Sequence, residues 1–288
     1  MIVRYFAVKP KLSSGTAQDN LLKGMNVSYE TLSFDVADGV ARLALNRPDA
    51  ANAFNPELCR DLFDAAIACD ERDDIRAVLL TGEGSMFSAG GDLKYFAGQG
   101  DKLGAALKEI TGLLHAAIGR MAHMDAPVVG AINGMAAGAG FSLAAACDIA
   151  IAGQSTRFTL AYTAAGLSPD GSSTWFLPRL IGLRRARELM LTNRMIGADE
   201  AREIGVIDRV VPDDDLMDEA MAQAKAFAAG PTKAYGATKR LLQDTWTSGL
   251  ETQMDRETRS ISDLTRTADA RQGIDAFLNK RKPSFRGE

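Results

Sequence analysis

Apolar and polar positions along the chain follow two periods, and the switch between them divides it into units. Residues 31–36 and 40–45 alternate with the period of a strand and flank Asp38-Gly39, a strong short hairpin signal. Helical spacing follows from Asn55, a favourable cap with Pro56 behind it, to about Asp70. Residues 77–81 form a short buried strand, and a loop rich in small residues over 82–92 comes after it. The pattern then repeats, with helical spacing over 103–122, a strand over 128–132, a glycine-rich stretch over 133–142 and a buried helix over 143–146. Short strands are expected at 149–152 and 157–159. Beyond Asp170 the spacing is helical over 172–180, 184–193, 198–204, 216–229, 232–244 and two further segments, with a strand at 206–211 as the exception.

This predicts an α/β fold with three parts. Residues 1–24 are aperiodic and expected to be a disordered extension, Met25 itself making a sensible first residue. Residues 25–210 form the strand-and-helix core, and residues 211–288 a helical C-terminal segment.

Composition narrows the function classes. The 288 residues are 46% hydrophobic and 24% charged, as in ordinary globular proteins, and a net charge of -4 argues against a nucleic-acid surface or a polybasic membrane patch. The uncharged run over 127–147 is long enough to raise a transmembrane reading, but its glycines and Asn133 favour a buried strand, loop and helix. Cys59, Cys69 and Cys147 lack metal or redox spacing, so reduced thiols in a cytoplasmic protein are the simplest account. His115 and His123 have no ligand pattern around them, and no metal site is expected.

Chemistry concentrates in residues 133–142, Asn-Gly-Met-Ala-Ala-Gly-Ala-Gly-Phe-Ser. Glycine lets a ligand approach the main chain, and a helix start leaves N–H groups without intrahelical partners. Together they can form an anion or oxyanion site. Equally, Gly134, Gly138 and Gly140 serve a helix that packs tightly on a sheet.

Three segments in order, residues 45–54 (Leu-Asn-Arg-Pro-Asp-Ala-Ala-Asn-Ala-Phe), 81–93 (Thr-Gly-Glu-Gly-Ser-Met-Phe-Ser-Ala-Gly-Gly-Asp-Leu) and 133–142, resemble the crotonase (enoyl-CoA hydratase/isomerase) superfamily. The closing 277–285 segment agrees, so the likeness covers about residues 29–286. The resemblance implies a crotonase-like spiral of ββα units with a helical C-terminal trimerisation region, giving a homotrimer or a dimer of trimers. It implies a coenzyme A thioester as substrate and no separate cofactor. Carried over by position, Gly91 and Ala139 supply the two oxyanion-hole N–H groups. Ala89, Asp92, Leu93 and Lys94 would line the coenzyme A path, with Phe277 and Lys280 commonly acting from a neighbouring subunit.

The acids and bases choose the reaction. Hydratases of the family use two glutamates, and this sequence has Ser142 and Tyr162 at the matching positions, neither able to act as a carboxylate base near neutral pH. Residues 166–175, Gly-Leu-Ser-Pro-Asp-Gly-Ser-Ser-Thr-Trp, are similar to the isomerase subgroup that includes the ring-epoxide isomerase of phenylacetate breakdown, where the aspartate after proline is catalytic. In that reading Asp170 shuttles a proton along an enoyl chain; as a bland alternative it caps the following helix. A rival is a 4-chlorobenzoyl-CoA-type dehalogenase, with Asp170 as nucleophile, His115 as base and Tyr162 as donor, although a histidine between Leu114 and Ala116 also suits packing. Weak hydration and acyl-CoA binding without catalysis complete the alternatives. Phe141, Tyr162, Trp175 and Phe176 are candidates for an aromatic acyl pocket or for core.

Overall fold

Asp38 and Gly39 both take positive φ, 53° and 78°, which is the left-handed pair that a two-residue hairpin turn needs. The chain folds back there, and β1 (Leu32–Ala37) pairs antiparallel with β2 (Val40–Leu45). Asn55 then caps α1 (Pro56–Glu71) by accepting the Leu58 N–H at 3.0 Å. The second turn runs β3 (Ala77–Gly82), α2 (Leu93–Ala97) and α3 (Leu103–His123), and the third runs β4 (Val128–Ile132), β5 (Met135–Ala137) and α4 (Ala139–Ala145). A fourth comprises β6 (Ile149–Gly153), β7 (Arg157–Thr159), α5 (Ser173–Ile181) and α6 (Leu183–Thr192). β8 (Ile196–Gly197), α7 (Ala198–Ile204) and β9 (Arg209–Val211) follow, then α8 (Leu216–Ala228), α9 (Thr232–Asp244), α10 (Leu250–Leu264) and α11 (Ala268–Leu278). This computed structural model describes residues 29–288, so the extension expected over residues 1–24 lies outside the described residues.

The strands form a six-stranded sheet in the order β1-β2-β3-β4-β6-β9, and from the third turn onward β5, β7 and β8 form a small second sheet in that order. From β2 onward the large sheet is parallel. Its central strands β3 and β4 are buried along their whole length because both faces are covered, and the one hydroxyl among them, Thr81, donates to the Ala131 carbonyl. Val78, Leu80, Val128 and Ile132 pack in the larger core, which α1 and α3 also build. Leu79, Val129, Ala131 and Ile151 face the other way, against Leu216, Ala220 and Ala224 of α8. Burying each such Leu, Ile or Val contributes about 1.5–3 kcal/mol, so both layers are needed to hold the spiral.

The sequence pattern misplaces several elements in the third and later turns. A three-residue strand, β5, lies inside the stretch read as loop, and α4 begins at Ala139 rather than at 143. Short runs of Ala and Gly carry no amphipathic period, so neither start is visible in it. The strand expected at 206–211 begins only at Arg209, because the Val206 and Ile207 N–H groups turn back onto the Ala201 carbonyl at 2.8 and 3.4 Å. β8, only two residues long, is held antiparallel to β7 inside a region read as helical.

One ion pair ties the C-terminal helices to the core. Lys239 of α9 is buried and meets Asp148 Oδ2 at 2.7 Å, while its ammonium also donates to the Met121 and Ala126 carbonyls at 2.9 and 3.1 Å. Burial pushes the Asp148 carboxyl above its ordinary range, although Lys239 opposes the shift. Lys239→Met is expected to cost about 1–3 kcal/mol in denaturant unfolding, since it leaves the Met121 and Ala126 carbonyls without their buried donor and Asp148 without its cation. A raised folded-state acid favours folding below its unfolded value and loses that contribution as pH rises. The deficit of the variant should therefore grow from acid to neutral pH.

Candidate active site

Two loops of the spiral meet where the small sheet ends. Ser88 pairs with Ala136 and Phe54 with Gly91 as isolated bridges, extending the small sheet across three turns of the spiral. Equivalent peptides after Ser88 and after Ala137 are thereby brought side by side. A Cβ on Gly90 would come within 2.8 Å of the Ala137 carbonyl and 3.2 Å of the Ala139 nitrogen, so only glycine permits this approach. The Gly91 and Ala139 N–H groups have no hydrogen-bond partner among the described residues, and both residues line one cavity.

The direction of each donor is fixed from behind. Buried Ser88 accepts the Gly90 N–H at 3.1 Å and donates to the Asn52 carbonyl at 2.8 Å. Asn52, fully buried, accepts the Arg47 N–H at 2.8 Å and donates to the Glu83 and Met86 carbonyls at 2.9 and 2.7 Å. On the other side the Gly138 carbonyl accepts the Ser142 N–H at 3.0 Å, with Ser142 Oγ also within 3.2 Å. A planar trans peptide carries its N–H opposite its carbonyl, so holding Gly138 O aims the Ala139 N–H. Gly138 itself has φ 51° and ψ −124°, a conformation open to glycine.

The cavity has a volume of about 240 Å3. Its walls are Phe54, Phe96, the α3 residues Leu107, Ile110, Thr111 and Leu114, and the segment from Leu160 to Asp170. Ala89 and Leu93 lie on its rim and are exposed. Asp170 opens on the same space as the two bare N–H groups. Its Oδ1 accepts from the Tyr162 phenol at 2.5 Å, and Oδ2 has no partner among the described residues. Ser142 Oγ lies 3.1 Å from that phenol and 3.0 Å from the Asp170 carbonyl. Burial, then the neighbouring Asp170 carboxylate, pushes the Tyr162 phenol well above its ordinary value, which keeps it a proton donor across the working range.

The capping alternative for Asp170 has a clear geometric answer. Ser172 stands at the cap position of α5, and the Ser173 N–H bonds to the Asp170 backbone carbonyl at 3.2 Å, leaving the carboxylate to Tyr162. His115 is exposed on α3, outside the cavity lining, and its Nε2 accepts the Gly171 N–H at 3.1 Å. The lone pair a base would use is thus taken up in holding the Asp170 loop.

Other candidates separate from the cavity. Asp92 caps α2 through the Tyr95 N–H at 3.0 Å and pairs with Arg47 at 3.0 Å. Partial burial works to raise its carboxyl, but those two donors together hold it below the ordinary carboxylate range. Lys94 is exposed on α2, and Phe277 and Lys280 are exposed at the end of α11, none of them lining the cavity. Phe141 packs on Phe158 in the core, Trp175 lies under the Arg179 guanidinium at 3.9 Å, and Phe176 stands edge-on to Trp175, so the aromatic pocket expected from all four shrinks to Tyr162 with Phe54 and Phe96. Asn52, Ser88 and Arg47 are functional supports that no periodicity signals. A buried Asn in the left-handed region, φ 52°, is legible only once the fold is known. Among the described residues no helix is long and apolar enough to cross a membrane, and no group of three His, Cys, Asp or Glu is arranged to hold a metal ion.

Comparison with known proteins places this geometry. The enoyl-CoA hydratase/isomerase family profile matches residues 35–288. The chain is 39% identical over 261 residues to the "Probable enoyl-CoA hydratase" of Rhodobacter capsulatus, covering 91% of this chain and 100% of that one. It is 39% identical over 257 residues to the 1,2-epoxyphenylacetyl-CoA isomerase of Escherichia coli, covering 88% and 97%. The solved enoyl-CoA hydratase of Bacillus anthracis superposes with a TM-score of 0.84 at 33% identity, covering 90% of this chain and 100% of that one.

Proposed function

The chain belongs to the enoyl-CoA hydratase/isomerase family and has its crotonase fold, and from that premise we propose that it is an enoyl-CoA isomerase moving a double bond through a thioester enolate. The observation that carries the reading is one cavity lined, among the described residues, by two unpartnered N–H groups and a single carboxylate, Asp170, with the Tyr162 hydroxyl beside it and the buried Ser142 hydroxyl behind that phenol. The thioester oxygen of a 3-enoyl-CoA accepts from Gly91 and Ala139. Asp170 Oδ2 takes a proton from C2, and the electron pair moves onto the oxygen as a dienolate. The same carboxyl returns the proton to C4, leaving the double bond between C2 and C3. The proton that leaves C2 arrives at C4, so the reaction balances without electron transfer. Each donor is worth roughly 3–4 kcal/mol to the enolate.

Hydration needs a second carboxylate to activate water, and Ser142 and Tyr162 are hydroxyls. The dehalogenase reading needs His115 as base, and the Gly171 N–H already occupies Nε2. The deciding assay follows conversion of 3-hexenoyl-CoA to 2-hexenoyl-CoA by the absorbance of the conjugated thioester, beside hydration of 2-hexenoyl-CoA. Isomerisation faster than hydration is expected; hydration alone would overturn the proposal.

Tyr162 holds Oδ1 so that Oδ2 faces the substrate. Loss of a hydrogen bond to a charged group costs about 1.5–3 kcal/mol, so Tyr162→Phe should lower kcat roughly 10- to 100-fold with little change in KM. Steady-state kinetics check this, and a change confined to KM would remove Tyr162 from the proton-transfer step.

Residues 211–288 are proposed as the oligomerisation region, building a trimer or a pair of trimers. Exposed apolar side chains, among them Leu242, Trp246, Leu250, Ile261 and Phe277, support this, since isolated helices rarely leave so many uncovered. A neighbouring subunit would then bring Phe277 and Lys280 toward the coenzyme A.

A further inference from the structure

We infer that the acyl group this site accepts is uncharged and apolar to its far end, so that acyl thioesters ending in a second carboxylate are rejected. The inference rests on the proposed acyl-CoA site and narrows its substrate class. With the thioester between Gly91 and Ala139, the acyl chain occupies the rest of the cavity, whose wall is built by Phe96 and by Leu107, Ile110 and Leu114 of α3. Thr111 is the polar residue on that helix face, and its hydroxyl is spent on the Leu107 carbonyl at 2.7 Å; on the opposite wall the Tyr162 phenol is spent on Asp170 and Ser168 adds an uncharged hydroxyl. Neither lysine nor arginine lines the cavity among the described residues, and Asp170 is the charged side chain that does.

A distal carboxylate would lose its water without gaining a cation, and would share a confined space with the Asp170 carboxylate. Removing a charge from water unpaired is costly, and like charges brought together add to the penalty. Repulsion of this kind is how a site discriminates between chains of equal length.

The test compares hexanoyl-CoA with adipoyl-CoA, which have the same chain length and differ by the distal carboxylate. Binding to the full-length protein is measured by isothermal titration. Both are saturated, so neither depends on the isomerase reaction. Hexanoyl-CoA is expected to bind about 100-fold more tightly. Equal affinity, tighter adipoyl-CoA or no binding of either would overturn the inference. Leu107→Arg places a cation at the half-buried edge of the cavity. It should narrow the ratio at least about tenfold by gaining adipoyl-CoA affinity, and an unchanged ratio in a folded variant counts against the inference. Selective hexanoyl-CoA binding with no turnover of 3-hexenoyl-CoA would leave the substrate class standing and remove the isomerase reading.

Discussion

Asp170→Asn is expected to lower kcat for 3-hexenoyl-CoA by about 10²- to 10⁴-fold, the usual contribution of a positioned proton-transfer group. Asparagine keeps the size of the side chain, and its carbonyl oxygen still accepts from the Tyr162 phenol as Oδ1 does at 2.5 Å. The loop is also held by bonds the substitution leaves alone, from Ser142 Oγ to the Asp170 carbonyl and from the Gly171 N–H to His115. The folded state should therefore survive, with a melting temperature close to that of the parent. KM should change little, because the oxyanion donors and the apolar wall are untouched. What is lost is a group able to accept a proton from C2 and give it back to C4. Turnover that persists at the parent rate would remove Asp170 from the mechanism, while loss of acyl-CoA binding together with turnover would make its role structural.

Features whose cause is local were readable in the sequence. The hairpin at Asp38-Gly39, the cap Asn55 before Pro56 and the apolar runs of β3 and β4 each follow from a few neighbouring residues, and each is where the pattern puts it. Features made by adjacent turns of the spiral were not. β5 is a strand because β7 pairs with it, and a run of Met-Ala-Ala has no strand signature of its own. Ser88 and Asn52 look like ordinary loop residues until the fold buries them and gives them carbonyls to hold. The resemblance to family dehalogenases relates His115 to Asp170 and says nothing about which atom it meets, and it meets the Gly171 N–H. Phe277 is 84% exposed, and periodicity along α11 cannot say what covers it.

Gly138→Ala should separate the aim of the oxyanion donor from the space around it. A Cβ there would meet Gly90 Cα at 3.5 Å and the Leu160 carbonyl at 3.7 Å, which are ordinary contacts, so the new methyl fits. The conformation does not suit it, since φ 51° with ψ −124° is outside the regions an L-residue adopts. Holding alanine there costs about 1–3 kcal/mol. The chain can relieve that strain by rotating the peptide between residues 138 and 139. That peptide carries both the carbonyl held by the Ser142 N–H and the Ala139 N–H, so rotation breaks the Ser142 bond and swings the donor off the thioester oxygen. Loss of one donor lowers kcat by about 10²- to 10³-fold. Gly205→Ala is the matched control, at φ 89° on the C-terminal cap of α7 and away from the cavity lining. It should lose about 1–2 kcal/mol of stability with kcat unchanged. If both variants lose similar stability and both keep full kcat, alanine is held at residue 138 without rotating the peptide, and the glycine conformation is not what aims the Ala139 N–H. If Gly138→Ala alone loses turnover, the strain at Gly138 is what aims that donor.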